Sequence, residues 1–471
     1  MIRLIVEKEL KDIIGSTKFA VTFGACAVLI LLAFYVGGRN FQVGMEQYEA
    51  GKREGLRKLE GITDWNEVRS NRISLPPQPI ASLVMGVSND IGRNIEVSGR
   101  GELSAEDSRY GEDPIFAVFR FLDLDFVFQI VLSLFAILFA YDAINGEKEQ
   151  GTLRLTFANP VPRAHYIVGK MAGSFLALAV PLLVPILLGA LILLLLGIPM
   201  RPDDWVRLAL VVLVGYLYFG AFLAISLFVS ARTERSSSSF LISLVIWILS
   251  VMVIPRTAVL IAGRAVDVPS VDEISSQQSR FAASLWQEDR KKMSDFHATE
   301  GTPPDKVMAE FQKFMQKIGG ERDKKMTEFS ARLNEDRRNK QEVQERLAFG
   351  LAMVSPSATF SLAAMTISGT GIHLKEAYKL SAQKYQTSFG EFIKEKTGQT
   401  PGGGLIFRIS SDKDEPKKQP INPLEMPAYE FQQEPVGASL GSIAIDLGIL
   451  SLFNIIFFVG AFVSFLRYDV R

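Results

Sequence analysis

The chain has 471 residues, with 51 Lys plus Arg balanced by 51 Asp plus Glu, one cysteine and three histidines. This balance removes the electrostatic case for a nucleic-acid binder, Cys26 alone forms no intrachain disulfide, and three scattered histidines do not make a metal centre. The 48% hydrophobic fraction lies in blocks too long and too pure for soluble core helices, which excludes a string of soluble domains.

A charged stretch, Met1 to Lys18, precedes Phe19 to Val36, which carries no charge and as a helix reaches about 27 Å, close to the hydrocarbon thickness. No small-residue cleavage pattern follows, so the sequence predicts a retained span. A polar segment then runs to Asp125. It opens on a helical run, Gln42 to Glu60, passes through PPQP at Pro76 to Pro79, and contains two β-compatible runs, IASLVMGV and RNIEVSG. Further spans are predicted over Phe126 to Tyr141, Ser174 to Leu196, Leu208 to Ser230, Phe240 to Ile261 and Ile443 to Phe465. Positive charge in the short loops (Lys148, Arg154, Arg163, Lys170, Arg232 and Arg235) and beside both termini predicts cytosolic termini. The two long polar segments are then external.

Pro181 and Pro185 sit inside the third span, where each removes a backbone hydrogen bond, so a bend lining a pathway and static packing are both open. The span centres are nearly free of ionisable residues, against the pattern of a proton-coupled carrier or ion channel; Asp446 and Asn454 of the last span are the exceptions. Between the fifth and sixth spans, Ser275 to Gly350 carries Val307, Phe311, Phe314, Met315 and Ile318 at helical spacing. Gly319 and Gly320 interrupt this run, which predicts a helical hairpin. His297 is expected at the surface. Leu347 to Ile367 resembles a seventh span but is broken by Pro356 and neighbouring Ser and Thr, so a re-entrant or surface-lying segment is expected. The proline-rich stretch 411–435 reads as an extended strap.

The most informative sequence is Tyr141 to Lys170, YDAINGEKEQGTLRLTFANPVPRAHYIVGK. Asp142 to Gln150 is predicted to continue the second span as a polar helix, and Gly151 with Thr152 to redirect the chain. Leu153, Leu155 and Phe157 then present apolar surface, which suits docking to a soluble partner, an interfacial helix or loop packing. The stretch resembles the signature of ABC-2 type transporter permeases: Glu147, Glu149, Gly151, Thr152, Leu153, Pro160, Arg163, Gly169 and Lys170 stand at its E-x-E, G-T-L, Pro, Arg and G-K positions. Its nearest likeness is to the branch of gliding-motility and copper-enzyme-maturation permeases, although the large outer segments depart from compact members.

The resemblance implies an all-α polytopic membrane protein: six transmembrane helices of ABC-2, type V exporter-like architecture with large external, partly helical insertions. The expected organisation is a cytosolic amphipathic helix 1–18, span 19–36, external lobe 37–125, span 126–141 and cytosolic coupling segment 142–173. Spans 174–196, 208–230 and 240–261 follow, then an external helical domain and strap 262–442, the last span 443–465 and a cytosolic tail 466–471. It further implies a multi-pass protein of a bacterial plasma membrane, the inner membrane where there are two, paired with a second permease, identical or related. Catalysis belongs to separate cytosolic ABC ATPase subunits, which bind ATP and Mg; this chain has no G-x-x-x-x-G-K-[ST] and is expected to be non-catalytic, without cofactor or metal. Glu147, Glu149, Gly151, Thr152, Leu153, Leu155, Phe157 and Arg163 are the expected ATPase-coupling residues, and Pro181, Pro185 and Asn454 the candidates for a pathway or helix bend. Two functions follow, export of an unidentified substrate or transmission of ATP-driven motion to an extracytoplasmic partner. A membrane-anchored enzyme finds no Cys-His pair or H-E-x-x-H in the outer segments.

Overall fold

The computed structural model describes residues 1–88, 91–98, 103, 105–106, 123–295, 304–398 and 420–467; His297 and residues 411–419 lie outside them. Among the described residues, six helices are long and apolar enough to cross a membrane: Thr17–Leu59, Leu124–Glu149, Arg163–Leu195, Pro202–Arg232, Ser236–Ala265 and Ala444–Leu466. The architecture is all-α apart from one small sheet.

The N-terminal helix α1 (Ile2–Ile14) is followed after a Ser16 cap by α2 (Thr17–Leu59), which carries the first span and the polar run Gln42 to Glu60 in one 43-residue helix. Strands β1 (Ser70–Ser74), β2 (Asn94–Ser98) and β3 (Ala105–Glu106) form an antiparallel sheet in that order. Of the two β-compatible runs only RNIEVSG is a strand. Ile80–Ser82 is instead a short 3-10 turn, and β2 pairs with the polar SNRIS, with Ser70 bonded to Glu96 and Ser74 to Asn94 across the strands.

The second span is segmented. Leu124–Phe126 (α3) leads into a π-helical stretch, Val127–Leu132, then α4 (Ser133–Ala140), and a turn at Tyr141 to Ile144 separates these from α5 (Asn145–Glu149). The polar continuation expected over Asp142 to Gln150 is therefore a turn and a short helix. After α6 (Thr152–Ala158), helices α7 (Arg163–Leu195) and α8 (Pro202–Arg232) form the third and fourth spans, and α9 (Ser236–Ile248), a second π-helical stretch Leu249–Val253, and α10 (Ile254–Ala265) form the fifth.

The chain divides into two compact units, 1–256 with 352–471, and 257–351. In the second, α11 (Val271–Ser294) runs against α12 (Pro304–Ala352). Phe281 stacks on Phe329 at 4.1 Å, and Arg322 lies over Trp286 while pairing with Asp289 at 3.1 Å. The break expected at Gly319 and Gly320 is absent, because α12 continues through both; the two helices that pair are α11, ending at Ser294, and α12, beginning at Pro304.

In the first unit, α13 (Pro356–Ser368) has 13 residues, about 20 Å, too short to cross a bilayer. It is buried on nearly every side, which sets aside the surface-lying alternative. Ser355 caps it and also donates to the Ser250 carbonyl, Ser357 accepts from Gln129, Ser361 donates to Asp125, and Phe360 stacks on Tyr218. Both π-helical stretches contribute to this seam through Gln129 and Ser250. Arg207 of α8 donates to the carbonyls of Ile367, at the C-terminal end of α13, and Glu434, in the extended chain that follows. Helix α14 (His373–Thr397) lies on the sheet, bonding Asn71 through Tyr385 and the Arg93 carbonyl through Tyr378. The short α15 (Val436–Ser442) leads to the last span, α16 (Ala444–Leu466).

Candidate functional site

One end of the spanning bundle gathers five parts of the chain: α1, the α5–α6 turn, the start of α7, the α8–α9 junction and the end of α16. The turn exists because Gly151 adopts φ +74°, a left-handed conformation natural to glycine, between two short helices. Its acidic and amide residues are engaged within the chain. The Asn145 amide donates to Thr233 Oγ1 at 2.9 Å, and Ser230 Oγ receives the N–H groups of Ile144 and Asn145. Lys148 donates to the carbonyls of Ala231 and Thr233, at the negative end of α8. Glu149 accepts from the backbone N–H and the hydroxyl of Ser236, at the positive end of α9. Arg163 donates to the carbonyl of Leu466 at 2.7 Å, closing the end of α16.

Glu147 is the hub. Its Oε1 accepts from Lys8 and Lys170, each at 2.9 Å, and its Oε2 from Tyr166 at 2.7 Å. Lys170 also meets Glu9 at 2.5 Å. Two carboxylates thus face one buried lysine, with the more exposed Lys8 beside them. Burial raises the Glu9 carboxyl above its ordinary value, with Lys170 pulling the other way. Helix α1 comes this close because α7 offers glycines where it crosses: a Cβ on Gly169 would stand 2.8 Å from Ile5, and one on Gly173 2.6 Å from Glu9.

The three apolar residues of α6 separate. Leu153 is buried in a cluster with Ala143, Ile144, Tyr166, Ile167, Leu227 and Phe465. Phe157 packs on the same cluster, edge-on to Tyr166 at 5.4 Å and tilted against Phe465. Leu155 alone is open, 71% exposed, with Arg154 exposed beside it. Thr152 bonds back to the Glu147 carbonyl at 3.4 Å. The single apolar surface expected from Leu153, Leu155 and Phe157 is therefore two faces of one helix, one packed inward and one exposed.

The pathway candidates lie elsewhere. Pro181 and Pro185 leave no N–H for the carbonyls of Ala177 and Pro181, yet α7 is continuous through both. Asn454 bonds the Leu217 carbonyl at 2.9 Å and sits against Gly220, which ties α16 to α8. Lys8, Glu9 and Tyr166 were not legible as site residues; the small-residue pair Gly169 and Gly173 flanking Lys170 is the signal that marks a helix seat there. Gly437 to Gly441, GASLG, also matches the G-x-S-x-G spacing of hydrolases. Ser439 is buried within α15, however, and not on a strand-to-helix turn, so it is no nucleophile elbow.

The turn is thus clamped within the chain and leaves Leu155 exposed. A "Probable ABC transporter permease protein NosY" of Stutzerimonas stutzeri is 34% identical over 125 residues, 26% of this chain and 45% of that relative, so the chain matches less than half of the relative's length. The expectation of a gliding-motility branch draws no support from this match. ABC-2 permeases are typically non-catalytic subunits that partner with cytosolic ATPases and often dimerise. The family model described as ABC-2 family transporter protein matches residues 3–470, and with six apolar helices long enough to span a bilayer the chain belongs to that family as a polytopic membrane permease.

Proposed function

We propose that this permease couples nucleotide binding and hydrolysis by a separate cytosolic ATPase to movement of its spanning helices, in a bacterial plasma membrane and paired with a second permease. The α5–α6 turn is the contact. The observation that carries this reading is the tie from Glu147, Lys148, Glu149 and Arg163 to α1, α7, α8, α9 and α16, around a turn that exposes Leu155. A displacement applied at Leu155 thereby reaches every spanning element whose end meets the turn. The cytosolic assignment of this end is supported by its basic side chains, Arg3, Lys8, Lys11, Lys18, Lys148, Arg154, Arg163, Arg232, Arg235 and Arg467. Single-cysteine labelling in a Cys26→Ala background tests the orientation: impermeant reagent on intact cells reaching position 151 while sparing position 50 overturns it. Purification of the tagged chain from native membranes, followed by ATP turnover of the eluted complex and of the chain alone, tests the coupling. Turnover by the isolated chain, or a complex without any ATPase, overturns the assignment.

Export of an unidentified amphiphilic substrate is the primary reading. Transmission of motion to an extracytoplasmic partner is the second, favoured by one observation: residues 257–351 form a compact helical unit of their own. The two readings part on whether the reconstituted complex moves anything across the bilayer.

A further inference from the structure

We propose that Asp125, at the end of the second span opposite the α5–α6 turn, is the charged ligand of a bound monovalent cation of sodium's kind. Such a site stands whether or not the turn couples to an ATPase.

Two carboxylates sit two positions apart where the chain enters the second span, and both are buried: Asp123 is 6% exposed and Asp125 7%. They differ in how their charge is met. Asp123 caps the helix, its Oδ1 accepting the Phe126 N–H at 3.0 Å and its Oδ2 the Met85 N–H at 2.8 Å, so that each oxygen has a backbone donor. Asp125 receives one donor, the fully buried Ser361 hydroxyl of α13, at 2.7 Å on Oδ2. Its Oδ1 is shut off from solvent and, among the described residues, has no partner. The one charge that acts on Asp125 among the described residues is that of Asp123, which repels it.

A bare carboxylate oxygen withdrawn from water, with a like charge beside it, is strongly unfavourable. A water molecule would supply a hydrogen bond to Oδ1 but leave the charge in place. A cation meets both needs. The surroundings limit its size: the segment Leu83 to Met85 holds the start of the span through the Leu83 carbonyl and the Met85 N–H, and α13 covers Asp125 through Ser361. A carboxylate so enclosed suits an ion rather than an organic ammonium group. They also limit its charge. A calcium ion takes six to eight oxygens, several of them from carboxylates, whereas here one carboxylate oxygen is unclaimed and those of Asp123 are already engaged by backbone donors. A hard oxygen donor with a single negative charge is matched by a small ion with a single positive one. The π-helical stretch Val127–Leu132 begins two residues later, an irregularity met mostly at functional sites, and ionisable groups buried at membrane depth commonly mark ion sites. An ion held at Asp125 also secures α13, because the same carboxylate receives Ser361.

The test uses the full chain in lipid nanodiscs at constant ionic strength, with choline chloride replacing sodium chloride. Radioactive sodium binds the parent saturably, is displaced by unlabelled sodium and not by choline, and sodium raises the melting temperature as its concentration rises. Asp125→Asn keeps the shape, removes the charge, and abolishes both effects. Asp12→Asn, an exposed aspartate of α1, changes neither. No saturable binding by the parent, or binding that survives Asp125→Asn, overturns the site. A proton on Asp125 in place of the cation predicts no sodium binding and an Asp125→Asn chain as stable as the parent, which overturns it as well. Should Asp125→Asn fail to fold, the parent decides: sodium slows modification of Asp125 by dicyclohexylcarbodiimide, read by mass spectrometry of the peptide that carries it, and equal rates with sodium and with choline overturn the proposal.

Discussion

Leu153 and Leu155 are two residues apart and chemically identical, yet they lie on opposite faces of α6, one buried and one exposed. Leu153 is 2% exposed in the cluster around Tyr166 and Phe465, so Leu153→Ala leaves a cavity costing about 2–5 kcal/mol of stability. Leu155 is 71% exposed; since full burial of a leucine gains about 1.5–3 kcal/mol, covering it with a partner gains about 1–2 kcal/mol. Leu155→Ala should therefore weaken the ATPase complex about 5- to 30-fold while leaving the chain's own stability within about 0.5 kcal/mol. Leu155→Asp should weaken the complex further by carrying a charge into a desolvated contact. Two measurements separate the residues: thermal unfolding of the isolated chain in detergent, and titration of the purified ATPase onto chain immobilised at matched folded fraction. The expected pattern is a lowered melting point with near-normal binding of surviving protein for Leu153→Ala, and the reverse for Leu155→Ala. Normal binding by Leu155→Asp would refute the exposed leucine as the contact, and with it the inference from exposure to coupling.

Other consequences follow from single positions. Gly319→Ala and Gly320→Ala should each stabilise α12 by about 0.5–1 kcal/mol, since both lie inside a helix with room for a methyl group, read as slower proteolysis of 257–351 in the full chain. Gly151→Ala should cost about 1–2 kcal/mol at its left-handed φ of +74°, although nothing crowds the new methyl, and should lower complex yield without removing any partner contact. Arg207→Met frees one carbonyl at the end of α13 and one just before α15 and should cost about 1.5–3 kcal/mol in thermal unfolding, with new protease cleavage near residue 434. The raised Glu9 carboxyl means that docked α1 binds a proton more readily than released α1. The stability it contributes is then present below the ordinary carboxylate value and lost as pH rises through the raised one. A spin label at Leu4 should accordingly become more mobile as pH is raised above the ordinary carboxylate range, and Glu9→Gln should abolish the change; mobility that falls as pH rises would refute it.

The spans were legible because some 18 uncharged apolar residues have few other uses, and the motif at Glu147 to Lys170 was legible because its spacing is local. What the local sequence withheld was partnership. Glu147 and Glu149 were expected to meet basic groups somewhere; that Glu147 meets Lys8, 139 positions away, and Glu149 meets Ser236 is a product of the bundle. The division of α6 was in principle readable: on a helix, positions 153 and 157 share a face and 155 opposes them, so the apolar triplet dissolves once the helical period is applied. Gly319 and Gly320 misled because propensity is weak, and the stacking of Arg322 on Trp286 and its pairing with Asp289 outweigh about 1 kcal/mol per glycine. Strand β1 escaped because SNRIS has one apolar residue and becomes a strand through its cross-strand polar pairs. Helix α13 shows most directly why polar residues in an apolar run do not by themselves place it outside the bundle. The serines around Pro356 read as interruptions of a span, since a hydroxyl inside apolar surroundings costs free energy when unpaired. In the structure Ser355, Ser357 and Ser361 are paired with Ser250, Gln129 and Asp125, so the same hydroxyls that read as interruptions of a span are what hold this short helix among the spanning ones.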